Sequence, residues 1–191
     1  SPEVRSGELR TEDIQTEVFL MPAAGHIEKE GHFTNTQRLL QWRDKALEPP
    51  GDAQSELEFM CKLGARIKAH YADSTDLRDW PIRNLAWDYP THGPHEEPSA
   101  EAVLKEINGF DTATGEPVPG FAELKNDGST ACGVWIYSGV YGDGVNQARR
   151  RDNTPTDAPG NAISPTWGWA WPANRRILYN RASADLDGRP W

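Results

Sequence analysis

The chain is poor in cysteine, in basic charge and in long apolar runs, and each shortage removes a class of function. Cys61 and Cys132 are its only two cysteines among 191 residues. They lie far apart, form no paired motif, and by count cannot hold an iron–sulfur cluster within this segment alone. Lysine and arginine total 20 against 29 acids, a net charge of −9. An acidic balance disfavours nucleic acid, because phosphate neutralisation needs a basic face. No apolar stretch approaches the ~18–20 residues that span a bilayer. The opening Ser1–Thr16 is acidic and polar and lacks the basic start and apolar stretch of a signal peptide. It begins Ser-Pro-Glu-Val without a Met and reads as the middle of a longer protein. Catalytic signatures are missing too. There is no nucleophile elbow, no Ser-His-Asp or Cys-His arrangement, no P-loop and no dinucleotide fingerprint.

What is abundant is proline (15), glycine (17) and tryptophan (8). Together they describe a loop-rich chain pinned by large aromatic anchors, of the kind that wraps against something else. Regular elements are few. A short helix is expected near Glu12–Gln15. Thr16–Ala23 (TEVFLMPA) is a strand candidate whose continuous apolar run, closed by Pro22, suits a strand covered on both faces in a parallel sheet. Gly25–Gly31 is a charged loop, and Phe33–Trp42 fits either a short strand or one helical turn. Glu48-Pro49-Pro50-Gly51 is a stop, after which Asp52 is expected to cap a helix. That helix carries Leu57, Met60, Leu63, Gly64, Ile67 and Tyr71 at spacings of three and four over roughly five turns. A Trp/Pro-punctuated loop covers Asp79–Pro98. Ser99 caps a second helix with Val103, Leu104 and Ile107 inward, closed by Asn108-Gly109. Residues 110–130 read as irregular, Ala131–Val140 as a second strand, Arg149–Thr166 as a polar loop, and Ala173–Ala184 as a late helix after Pro172. Two strands and three longer helices among such long connections make a poor free-standing fold. They read better as a piece of a larger α/β body.

Several constellations could carry chemistry. The polar run Glu28–Arg38 follows the first strand candidate, the place where open α/β sheets bind ligands. In it Lys29 and Arg38 suit phosphate or a carbonyl edge, and Thr34 and Asn35 suit a heterocycle. A polar surface turn is the plainer alternative. Glu28 and Glu30 share one side of a strand, but nothing raises either pKa toward acid catalysis. His26, His32, His92 and His95, the last two beside Glu96 and Glu97, lack the fixed spacing of a metal site. Asp185-Leu186-Asp187-Gly188 is too short of ligands for a calcium loop and reads as a turn. The Gly-rich turn Ser138–Gln147 could approach phosphate with backbone N–H groups, though a plain turn is the simpler reading. Arg149, Arg150 and Arg151, and Arg175 and Arg176, mark either a solvated face or structural ion pairs, or else an anionic partner or cofactor. Trp167, Trp169 and Trp171 alternate, so an extended chain would put all three indoles on one side. Burial is the commoner fate of such a set, and sugar stacking the alternative.

Three longer runs carry a family resemblance. FLMPAAGHIEKEGHFTNTQRLLQWRDKALEPPG (Phe19–Gly51) resembles the third domain of large subunits in the molybdopterin oxidoreductase superfamily. GVWIYSGVYGDGVNQARRR (Gly133–Arg151) and WGWAWPANRRILYNRASAD (Trp167–Asp185) narrow this to the catalytic subunit of respiratory formate dehydrogenases that use selenocysteine or cysteine. The resemblance implies an α/β fold forming part of a Rossmann-like molybdopterin-binding domain with long irregular loops. On it, residues 1–110 are the C-terminal part of the dinucleotide-binding domain, and residues 111–191 a Trp-rich extension toward a β-barrel domain. It implies two molybdopterin guanine dinucleotides with molybdenum or tungsten, and a 4Fe-4S cluster elsewhere in the parent subunit. Lys29 would touch a pterin dinucleotide. Glu56 stands where related members place a guanine-binding Asp. Thr34, Asn35 and Arg38 match a Thr-Asn-x-x-Arg stretch near the cofactor. The cluster cysteines, the metal-binding residue with its following His, and the formate-site Arg have no counterpart here, so this chain alone is expected not to oxidise formate. The implied partners are the rest of the large subunit and an iron–sulfur beta subunit. The implied setting is the bacterial periplasm, with the cytoplasm as alternative. Two other classes compete: a stand-alone carbohydrate-binding module on the Trp platform, and a small nucleotide-binding protein using Gly139–Gly144.

Overall fold

The computed structural model describes residues 1–35, 38–154, 156, 160 and 166–171. In chain order the helices and strands are α1 (Pro2–Ser6), β1 (Gly31–Thr34), β2 (Leu39–Arg43), α2 (Glu56–His70), α3 (Trp80–Arg83), β3 (Thr91–His92), β4 (Glu97–Pro98), α4 (Ala100–Asn108), β5 (Phe110–Asp111), β6 (Thr130–Ala131), β7 (Arg151–Asp152), β8 (Thr166–Trp167) and β9 (Trp169–Ala170). The class is mixed, helices with small antiparallel sheets. The largest sheet has three strands in the order β1-β2-β9, and the others are two-stranded ribbons. Among the described residues the one parallel contact is an isolated bridge between Ala23 and Gln54.

The core sits where this sheet meets α4. Leu40, Trp42, Ala100, Leu104, Val140, Tyr141, Ala148 and Trp169 form one buried cluster, with Leu57, Tyr137 and Trp171 packed against it. Leu40 pairs across the ladder with Trp169. The side-chain period of two puts Leu40 and Trp42 on the same face. Burying a side chain such as Leu40 or Leu104 is worth ~1.5–3 kcal/mol, so these few residues are the main apolar anchor. Ser99 Oγ accepts the amide of Ala102 and starts α4 as the sequence predicts. Gly109 ends it at φ 97°, and a Cβ there would meet the Cβ of Cys132 at 2.7 Å.

The ambiguous stretch Phe33–Trp42 resolves into the β1–β2 hairpin. Four other expectations are corrected. Thr16–Ala23 forms no strand beyond the Ala23 bridge, because no sheet edge among the described residues receives it. Ala131–Val140 is not a strand either. After β6 the Gly133 amide turns back to the carbonyl of Glu106, and Trp135–Tyr137 coils into a 3-10 turn. The cap of α2 is Ser55, not Asp52: its hydroxyl accepts from the Glu58 amide at 3.1 Å. Finally, the apolar stripe of α2 is not fully covered. Met60, Leu63 and Ile67 are exposed. With Pro81, Ile82, Leu85 and Trp87 they line an apolar groove of about 280 Å³. Within it Gly64 lets the Trp87 ring approach to where a Cβ would sit at 2.9 Å. Residues Thr11–Asp13 form one 3-10 turn near the helix expected at Glu12–Gln15. The late helix Ala173–Ala184, Arg175, Arg176 and the turn at Asp185–Gly188 lie outside the described residues.

Candidate cofactor-contact site

The site is built by a loop laid along the start of a helix. Gly25 donates its amide to Glu28 Oε2 at 2.6 Å, which closes the turn before Lys29. The carbonyl of Ile27 accepts the amides of Ala46 (2.8 Å) and Leu47 (3.1 Å), which pins this turn to the chain after β2. On its other side, Ala24 N–H donates to Gln54 at 2.8 Å, and Gln54 N–H donates to Pro22 at 3.3 Å. Lys29 thereby reaches Glu56, 27 residues away, with Nζ 2.7 Å from both carboxylate oxygens. The Lys29 side chain is 14% exposed and the Glu56 side chain 70%. Glu56 is the first residue of α2, where the unpaired N–H groups and the helix dipole favour a carboxylate. The hydrogen bond from Lys29 holds its pKa below the ordinary carboxylate range, helped by its own backbone amide and by the charges of Lys29 and His26.

Beside this pair lies a cavity of about 330 Å³, bounded by Met21, Pro22, Gln54, Ser55, Glu56 and Phe59 among others. An apolar floor with two carboxylates, Asp52 and Glu56, and the Gln54 carboxamide around it suits a flat heterocycle that offers N–H groups. The Lys29 ammonium is occupied by Glu56, so while the pair stands it offers a phosphate little.

The other predicted residues lie at the β1–β2 hairpin tip. Asn35 is used structurally: its Oδ1 accepts from Leu39 N–H at 3.2 Å, and its own N–H donates to the Leu39 carbonyl at 3.1 Å. Arg38 has φ 65° and donates its amide to the Asn35 carbonyl at 3.0 Å. Its guanidinium lies 4.6 Å from the Trp171 ring centroid, a cation–π contact. Thr34 is exposed and pairs with Leu40. The structure thus joins Lys29 to Glu56 and places Thr34, Asn35 and Arg38 together at the turn. Near that turn His32 Nδ1 and Trp171 Nε1 are buried without a hydrogen-bond partner among the described residues. Burial lowers the His32 pKa.

The remaining constellations are structural. Glu28 closes its turn, and Glu30 sits 3.7 Å from His92. No group of three His, Cys, Asp or Glu among the described residues could hold a metal ion. The Gly-rich turn is held from inside by Asn108, whose Oδ1 accepts the amides of Gly139 (2.8 Å) and Tyr141 (3.0 Å), so those two N–H groups do not face a phosphate. Arg149 pairs with Asp44 at 2.8 Å and lies over Trp42 at 5.0 Å. Arg150 donates twice to the Gly168 carbonyl, and Arg151 donates to the carbonyl of Trp42. The indoles form no platform. Gly168 turns the backbone at φ 71°, Trp169 is buried in the core, and Trp171 stacks with Arg38.

Sequence reasoning missed Asn108, read only as a helix terminator. It also missed two tyrosine–carboxylate pairs, Tyr89 with Glu106 at 2.5 Å and Tyr141 with Glu101 at 2.6 Å. Tyr89, Glu106 and Tyr141 help line a cavity of about 830 Å³ with Lys105 and Cys132. No periodic signal announces such pairs, because the partners are 17 and 40 residues apart.

No family model matches the chain. Individual proteins do. The formate dehydrogenase-O major subunit of Escherichia coli is 41% identical over 97% of this chain. The formate dehydrogenase subunit alpha of Megalodesulfovibrio gigas is 38% identical over 98% of it, and the formate dehydrogenase 2 subunit alpha (cytochrome c-553) of Nitratidesulfovibrio vulgaris is 42% identical over 93%. This chain belongs with a segment of the formate dehydrogenase large subunits. It spans 18–20% of the length of these relatives. No helix among the described residues is long and apolar enough to cross a membrane.

Proposed function

We propose that this chain is the part of a formate dehydrogenase large subunit that helps hold one guanine end of a bis-molybdopterin guanine dinucleotide cofactor. The observation that carries the proposal is the Lys29–Glu56 pair at the start of α2, beside a cavity of about 330 Å³. The fit is specific in size and chemistry. The cavity accepts a single heterocycle, not a whole dinucleotide, and its carboxylate matches the adjacent N–H groups of a guanine edge. Lys29 fixes the orientation of Glu56 and keeps it ionised, so that it accepts those hydrogen bonds. Thr34 and Arg38 lie on the hairpin that follows Lys29 and belong to the same cofactor shell. Asn35 contributes by shaping the turn.

When bound, the cofactor, carrying molybdenum or tungsten, supplies the two-electron oxidation of formate to carbon dioxide. The segment's own residues bind and orient. They sit within a Rossmann-like body completed by other parts of the subunit, with residues 1–110 in that body and 111–191 extending from it. Catalytic groups, a 4Fe-4S cluster and an iron–sulfur beta subunit belong to the rest of the assembly, in the periplasm. The 191-residue chain alone is inactive. The carbohydrate reading has no support, since the three indoles form no open face.

The test uses the intact large subunit. Glu56→Gln and Lys29→Met should each lower the guanine released per subunit on denaturation, while folded yield is kept. Full guanine content in both variants would sink the assignment.

A further inference from the structure

Two residues beside the β1–β2 turn each break a local rule, and they meet each other. Arg38 has φ 65°. That left-handed region strains any residue with a Cβ, whereas glycine adopts it freely. An arginine held there carries a cost that a use for its side chain offsets. Trp171 is the second. Its Nε1 is buried with no hydrogen-bond partner among the described residues, a cost that Phe or Leu would avoid at the same place. What an indole offers beyond Phe or Leu is the ring face that attracts a cation best. The Arg38 guanidinium lies over that face, 4.6 Å from the ring centroid.

The contact is assembled from two distant parts of the chain. β9 joins β2 through the pairs Leu39–Ala170 and Leu40–Trp169, and the Trp171 N–H donates to the Arg38 carbonyl at 3.4 Å. Backbone register thus brings Trp171 beside Arg38. Tyr137 braces the ring edge-on, at 76° with centroids 6.3 Å apart, and itself rests against His32 and Trp169. Trp171 also packs against the core cluster. The guanidinium therefore lies on a surface tied to the core. The contrast with Lys29 is chemical. A carboxylate neutralises Lys29, whereas an aromatic ring fixes a cation without cancelling its charge. From this we infer that Trp171 is a positioning residue, holding the Arg38 guanidinium where it meets a phosphate of the dinucleotide; this rests on the reading of Arg38 as part of the cofactor shell.

The rate at which cofactor leaves the intact large subunit tests it, followed as guanine in the filtrate below the unfolding temperature. Arg38→Leu and Trp171→Leu should each release cofactor faster than wild type, Trp171→Leu by about 2- to 30-fold, the range of a cation–π contact. Trp171→Phe keeps a weaker face and should fall between wild type and Trp171→Leu. In the Arg38→Leu background Trp171→Leu should change nothing further, because the ring acts only through the guanidinium. A Trp171 that serves packing alone would speed release by the same factor in both backgrounds, and that result overturns the inference. So does a wild-type rate in Trp171→Leu when Arg38→Leu is fast. If Trp171→Leu does not fold, Trp171→Phe carries the same comparison: faster release with Arg38 present and no effect without it is the expected pattern, and any other overturns the inference. A wild-type rate in Arg38→Leu removes Arg38 from the shell and the role of Trp171 with it, while the Glu56 assignment stands or falls on the guanine content of its own variants.

Discussion

Replacing Asn108 by Ala probes how this loop-rich chain holds its shape. Asn108 is fully buried, and its carboxamide makes four hydrogen bonds: Oδ1 accepts from Gly139 and Tyr141, and Nδ2 donates to the carbonyls of Gly109 and Val118, all between 2.8 and 3.0 Å. One side chain thus ties the end of α4 to the chain at Val118 and to the turn at 139–141. Alanine removes all four bonds and strands the amides of Gly139 and Tyr141 and the carbonyl of Val118, while the Gly109 carbonyl still accepts the Val118 amide. Each orphaned group costs about 1–3 kcal/mol, and carbonyls tolerate the loss better than amides. Partial rehydration of the new cavity lowers the sum, so we expect a loss of about 3–5 kcal/mol, a large part of the margin of a small folded unit. Asn108→Asp keeps the acceptor but aims a second oxygen at two carbonyls, and it should be at least as damaging at neutral pH. Urea unfolding followed by tryptophan fluorescence reads the loss directly. An Asn108→Ala midpoint within about 1 kcal/mol of wild type would refute the hub, since even one stranded amide should cost that much.

Gly168→Ala should destabilise by about 2 kcal/mol or more, because φ is 71° and the new Cβ would sit 2.6 Å from the Leu40 carbonyl; loss of near-ultraviolet circular dichroism would show Trp169 leaving its site. Lys62→Met strips the partner, 2.5 Å away, from the buried carboxylate of Glu58. The half-exposed lysine softens the effect to about 1–2 kcal/mol, read by denaturation, and Glu58→Gln combined with Lys62→Met should recover part of it. The Glu56 pKa is lowered in the folded state, so its contribution is present above the unfolded carboxylate pKa and disappears as pH falls through the folded value. The gap in urea midpoint between wild type and Glu56→Gln should be under about 1 kcal/mol for so exposed a pair and should close as the pH falls below the ordinary carboxylate range. Tyr141 is pushed up to about 12 by burial and by its bond to Glu101; ultraviolet titration of Glu101→Gln should show one tyrosine ionising earlier than in wild type.

Local rules made some of this legible and long-range contacts hid the rest. Ser99 with Leu104 and Asn108-Gly109 spelled out α4 because cap, periodicity and terminator are all short-range signals. The burial of Trp169 followed from its size. The α2 stripe was read correctly as apolar, but its cover is only partial in this chain, since periodicity marks a face and never names what lies on it. Thr16–Ala23 and Ala131–Val140 share strand-like composition yet neither becomes a strand here. The first lacks a sheet edge, and the second spends its amides on the end of α4. At the site, Lys29 stood out in the polar run after the first strand candidate and Glu56 only through resemblance, and their pairing was not legible, because a contact across 27 residues leaves no trace in spacing. That Asn35 serves the turn rather than a ligand emerges only from its bonds to Leu39.

In the proposed function, Glu56 faces a guanine. The most direct measurement is the structure of the intact, cofactor-loaded large subunit at a resolution that shows hydrogen-bond partners. A guanine edge is expected within hydrogen-bonding distance of the Glu56 carboxylate, with Lys29 still paired behind it. A Glu56 carboxylate that touches only protein or water, with every guanine held elsewhere, would contradict it.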